Sequence, residues 1–159
     1  MSGGFQPAVS FGGPGRADAT LRVSHPTLDP RLIARSLALR PKLSRRVGDR
    51  RRTPKGTLLP GFEPESFCSF PIVGKPGGGT RPMAADQLVA DLDRFLDRLQ
   101  PAARFLRELR QGGGQAELFV GWFFVIFSAL LFEHALLAKL ADLELGLRLD
   151  IYADAPGER

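Results

Sequence analysis

Apolar and polar residues alternate over residues 19–24, with Ala19, Leu21 and Val23 set against Thr20, Arg22 and Ser24. A period of two marks a strand with one buried face, so the pattern predicts an opening strand ended by His25 and Pro26. Asp29 and Pro30 then predict a helix start. The carboxylate caps open N–H groups, and proline at the first helical position has no N–H to lose. Leu32, Ile33, Ser36, Leu37 and Leu39 supply an apolar stripe, and Pro41 stops the helix. Lys42 to Pro64 loses the period and reads as a basic, turn-rich connection punctuated by Gly48, Pro54, Gly56, Pro60 and Gly61. Phe67 to Val73 reads as a strand in which Pro71 requires an edge position or a bulge. Lys75 to Pro82, with Gly77, Gly78 and Gly79, reads as a loop.

The next segment changes period. Leu88, Leu92, Phe95, Leu96 and Leu99 share one helical face, while Asp91, Asp93, Arg94, Asp97 and Arg98 take the other. Asp93 and Asp97 are like charges four residues apart, and so are Arg94 and Arg98. Opposite signs at a spacing of three, Asp91–Arg94 and Arg94–Asp97, offset them. Pro101 opens a second helix with Phe105, Leu106 and Leu109 on its buried face, and Gly112 to Gly114 ends it. Ala116 to Ile126, rich in Phe, Val and Trp, predicts a strand. Leu130 to Leu143 predicts a helix. Leu145, Leu147, Leu149 and Ile151, alternating with Arg148, Asp150 and Tyr152, predict the last strand.

Mixed strands and helices in this order predict an α+β domain: one mostly antiparallel sheet with helices on one face, ferredoxin-like or related. Met1 to Asp18 holds five glycines and few residues able to pack, and reads as a flexible tail. The expected organisation is a tail over 1–18, a single domain over 19–154 and a polar end over 155–159.

Composition narrows the function classes. Of 159 residues, 43% are hydrophobic and 25% charged, a globular balance. The net charge of +5 mildly favours acidic partners. One cysteine, Cys68, permits no intrachain disulfide, and with two distant histidines it offers no metal-ligand spacing. No secretory signal is visible, so a cytoplasmic location is expected. Leu118 to Phe132 is free of charge but too short to cross a bilayer as a helix, so no membrane association is expected.

The segments Leu21-Arg22-Val23 and Leu28-Asp29-Pro30 are followed by Leu37-Ala38-Leu39-Arg40-Pro41 and the turn Val47-Gly48-Asp49. Together with the ending Leu147-Arg148-Leu149-Asp150-Ile151-Tyr152, the chain resembles a bacterial family called domain of unknown function 4279. The resemblance covers residues 19–153. It implies a small bacterial protein and carries over no activity, cofactor or catalytic residue.

Candidate chemistry is sparse. Arg40 to Lys55 gathers Arg45, Arg46, Arg50, Arg51 and Arg52 against one acid, Asp49, and is a candidate phosphate-contacting patch for nucleic acid. The competing reading is a solvated loop or a charged edge. Gly77-Gly78-Gly79-Thr80 lacks the spacing of a phosphate-binding loop. His134 is a candidate base with Asp150 or Tyr152 as partner, but no nucleophile accompanies it. Asp150 and Tyr152 share one face and are a candidate binding surface. Cys68, in an apolar strand, reads as a small buried hydrophobe. No cofactor is expected, and the balance leans away from an enzyme. The leading expectation is a non-enzymatic protein-binding module, by analogy of the immunity type, with an unidentified protein partner. The alternative is a nucleic-acid-associated protein using residues 40–55. Trp122, Phe124 and Phe127 raise the further question of homo-oligomer formation.

Overall fold

The computed structural model describes residues 14–75, 77–125 and 128–153. The expected tail up to residue 13, Phe127 and the polar end over 155–159 lie outside the described residues.

The first strand, β1 (Gly15–His25), buries every second residue and forms the centre of the sheet. It starts at Gly15, four residues before the first alternating alanine. Gly15 to Ala17 find partners on both sides, Met83 to Arg81 on one and Phe124 to Trp122 on the other. Gly15 has to lack a side chain, because a Cβ there would lie 2.5 Å from the ring of Trp122. Period-two reading missed these residues because glycine and alanine carry little hydrophobic signal.

Helix α1 (Pro30–Leu37) begins as its sequence dictates, with the Asp29 carboxylate accepting from the Arg31 N–H at 2.8 Å. It ends earlier than the apolar stripe, at Ala38, whose φ of 52° is left-handed. His25 turns the chain from β1 into this helix. Its buried Nδ1 accepts the N–H groups of Thr27 and Leu28, each at 3.0 Å.

The segment read as a connection is nearly half strand. It holds β2 (Leu43–Arg45), β3 (Arg50–Arg52) and β4 (Leu58–Phe62). β2 joins the main sheet, while β3 and β4 form a separate two-stranded hairpin. Next, β5 (Ser66–Val73) and β6 (Arg81–Met83) lie along the same edge of β1, one beyond the other. The glycine-bearing loop between them is a detour in one interrupted line of pairing. Pro71 sits where the register shifts beside Ala19 and Thr20, and beyond the reach of β2, so its missing N–H is tolerated.

Helix α2 (Ala85–Leu99) buries Leu88, Leu92, Phe95, Leu96 and Leu99. A short 3-10 turn, Gln100–Ala102, admits Pro101 and leads into α3 (Ala103–Gln111), which buries Leu106 and Leu109. Strand β7 (Gln115–Phe124) follows, then α4 (His134–Asp142) and β8 (Gly146–Ala153). α4 starts four residues later than its apolar pattern predicts. Leu130 and Phe132 are instead half-buried and non-helical, and the helix buries only Leu136 and Leu140. Its Lys139 resolves the like-charged pair on α2, reaching Asp93 at 2.8 Å and Asp97 at 2.6 Å.

The domain is α+β. Its main sheet runs β2-β5-β1-β7-β8, mostly antiparallel, with β7–β8 the parallel pair. Leu21, Val23, Phe70, Leu118, Val120 and Trp122 project from one face into the core, where the helices cover them. Among the described residues no helix is long and apolar enough to cross a membrane. The uncharged run from Leu118 instead opens in the central strand β7, with Leu118, Val120 and Trp122 in the core.

Candidate functional face and basic arm

Because side chains alternate along a strand, the residues between the core positions all emerge on the opposite side of the sheet. On β1 these are Arg16, Asp18, Thr20 and Arg22. The register places Phe123, Gly121, Phe119 and Glu117 of β7 beside them. Tyr152, Asp150 and Arg148 of β8 continue the rows outward. The helices pack on the other face, so this mixed aromatic and charged surface has no layer of secondary structure over it among the described residues.

The side chains on this face are organised in rows. Phe123 and Tyr152 stack with centroids 4.6 Å apart and planes 13° from parallel, and the Arg16 guanidinium stands 5.4 Å from the Phe123 ring. In a second row Arg22 lies 3.6 Å over the Phe119 ring, a close cation–π contact. Glu117 receives both Arg22 and Arg148 at 3.8 Å, and Arg148 also approaches Asp150 at 3.7 Å. The Tyr152 hydroxyl donates to Asp150 at 3.5 Å. The two residues singled out in the sequence, Asp150 and Tyr152, thus lie together on this face.

Asp18 is a partly buried carboxylate of this face. Partial burial pushes its carboxyl above the usual carboxylate value, outweighing its backbone hydrogen bond and the Arg22 guanidinium, while the Asp150 carboxylate adds to the rise. Its neighbour Thr20 has a buried Oγ1 without a hydrogen-bond partner among the described residues. Sequence reading missed Arg16, Asp18, Phe119 and Phe123 as a group. Their only signal was a place between the core positions of strands whose pairing was not yet known.

The basic segment is an arm. The Thr53–Thr57 turn closes it, with Gly56 at a φ of 87° and the Thr57 N–H bonded to the Thr53 hydroxyl at 3.1 Å. Arg50 pairs with Phe62 and Arg52 with Leu58, and all eight residues of β3 and β4 are exposed. The Arg50 guanidinium lies 5.4 Å from the Phe62 ring. The hairpin thus brings an aromatic to the arginines from the far side of Pro60 and Gly61. The candidate phosphate contacts differ in their surroundings. Arg45 and Arg46 lean on Glu63 and Asp29, each at 3.9 Å, and Arg52 donates to the Gly56 carbonyl at 3.2 Å.

The enzymatic candidates are not brought together. His134 is the first residue of α4, on the helix-bearing side, whereas Asp150 and Tyr152 emerge on the opposite side of the sheet. Cys68 is fully buried, its Sγ 3.6 Å from the Pro30 carbonyl, and burial raises its thiol pKa, the reverse of a nucleophile's tuning. A cleft of about 650 Å³ at the end of the sheet is lined by Arg22, Arg110, Arg148, Glu65, Glu117 and Glu144. Its arginines are matched by acids, Arg110 facing Glu144 at 3.5 Å. Among the described residues no cluster of three or more His, Cys, Asp or Glu side chains could hold a metal ion.

A family model described as "Domain of unknown function (DUF4279)" matches residues 15–154 of this chain. No curated protein and no solved structure matches it.

Proposed function

The chain belongs to the DUF4279 family, which assigns it no activity, and we propose that it is a non-enzymatic protein-binding module whose contact surface is the open face of the sheet. The observation that supports this reading is the row Arg16, Phe123, Tyr152 beside the row Arg22, Phe119, Arg148 on a face without helices. Tyrosine, phenylalanine and arginine are the residues that protein interfaces enrich. Here they are held by strands and by each other, so little side-chain freedom is lost on binding. Asp18, Glu117 and Asp150 interleave negative charge, which suits a partner presenting both signs. Neutralisation of a toxin partner, the immunity-type role, is the form of binding proposed, in the bacterial cytoplasm.

The experiment is affinity capture from host lysate after nuclease treatment, with the native chain, a Phe123→Ser/Tyr152→Ala variant and an Arg50→Ser/Arg51→Ser/Arg52→Ser variant. A partner recovered by the native chain and the arm variant, but lost from the face variant, supports the reading. Equal recovery by all three removes the open face from the contact.

A second reading, association with nucleic acid through the arm, is favoured by one observation. The exposed hairpin sets Arg50 against Phe62, joining a cation to a surface able to stack.

A further inference from the structure

We infer that β8 is an edge along which two copies of this chain pair, antiparallel, about a two-fold axis through Leu149. This pairing does not rest on the protein-binding reading. β8 is the last strand of the sheet path, and no described strand pairs with its outer side. It runs eight residues in unbroken register with β7 and contains no proline or lysine, two usual devices that keep a sheet edge from pairing. On the helix-bearing side two of its apolar residues are uncovered, Leu149 at 37% and Ile151 at 57% exposed, while Leu147 is half-buried against the core. The adjacent α4 adds Leu137, 46% exposed.

The occupant follows from the order of residues in the strand. In antiparallel pairing about Leu149, Leu147 of one copy faces Ile151 of the other, and the two Leu149 side chains meet at the axis. All lie on the helix-bearing side. On the opposite side Arg148 of each copy faces Asp150 of the other, giving two cross-strand ion pairs. Alternative registers are disfavoured by the same residues. A slip by two positions one way sets Asp150 against Asp150, and by two the other way sets Arg148 against Arg148. A slip by one sends the leucines to the polar face. The strand is therefore complementary to itself in one register, as a two-fold interface requires. Pairing would join two sheets and their open faces into one surface.

The test is the mass of the purified full chain in solution, by light scattering and sedimentation over a micromolar dilution series. The native chain should run at twice the mass of one chain. Leu149→Lys, which sets two ammonium groups against each other at the axis, should run at the single-chain mass with an unchanged circular dichroism spectrum. Asp150→Arg should weaken pairing several-fold, and Arg148→Asp added to it should restore pairing by reversing both ion pairs. If Leu149→Lys fails to fold, the charge reversal and its rescue decide the matter. A native chain at single-chain mass throughout overturns the inference. So does a dimer indifferent to Asp150→Arg, or a reversal that the second substitution does not rescue.

Discussion

Asp18 of β1 lies directly opposite Gly121 of β7, and its carboxylate occupies the space that a side chain at 121 would need. The absence of a Cβ at one position thus seats the charge at the other. Gly121→Ala should destabilise the fold by about 1 kcal/mol or more, the usual result of overfilling a fitted site. Urea denaturation checks this, and Asp18→Ala in the same chain should recover much of the loss. Asp18 also has a pH signature. Its folded-state pKa is raised, so the folded state holds the proton more tightly than the unfolded chain. Its contribution is full below the ordinary value of 3.8 and is lost as pH rises through the raised value. Asp18→Asn should abolish that fall in melting temperature.

Asp29 carries the opposite sign. The Arg31 guanidinium and the Arg31 backbone N–H lower its pKa to about 2. Its stabilisation is complete above the unfolded value of 3.8 and disappears as pH falls through about 2. Asp29→Ala should therefore lower the melting temperature at neutral pH. The gap from the native chain should close over that acid window, as followed by circular dichroism.

Lys139 bridges two carboxylates that would otherwise face each other across one turn of α2. Its pKa is raised by its hydrogen bonds to Asp93 and then Asp97. The contribution is present below the ordinary value of 10.5 and is lost as pH rises through the raised one. Lys139→Met should lower the melting temperature, and added salt should narrow the difference from the native chain by screening the exposed aspartates. An unchanged melting temperature in low salt would show that the bridge contributes nothing.

The sequence discloses those parts of the fold where one residue decides a local outcome. Asp29-Pro30 marks the start of α1, Pro71 an edge or a bulge and Leu88 to Leu99 a buried helix face, because capping, a missing N–H and a 3.6-residue period are all local. Lys139 was hidden because the pair it resolves lies on another helix. The hairpin was hidden for a similar reason. Pro60 and Gly61 break the alternation of β4, so only pairing reveals that Phe62 meets Arg50. The open face stood half-legible. Asp150 and Tyr152 were visible as one face of a strand, but Phe123 joins Tyr152 only through the parallel register of β7 with β8.

The open face and the arm should be separable by mutation, since they belong to different sheets. The arm's Arg50, Arg51 and Arg52 lie on one exposed strand, so replacing all three by Ser removes charge without opening the core. If the arm contacts phosphates, this variant should bind nucleic acid more weakly. The slope of log K against log salt should become shallower by about 1 for each phosphate that an arginine no longer neutralises. Phe123→Ser/Tyr152→Ala should leave that slope unchanged while removing the protein partner. Fluorescence anisotropy with labelled single- and double-stranded oligonucleotides across a salt series supplies the measurement. Binding whose salt slope the triple substitution leaves untouched would place any phosphate contact away from the arm. No binding by the native chain at low salt would end the nucleic-acid reading and leave the open face as the functional surface.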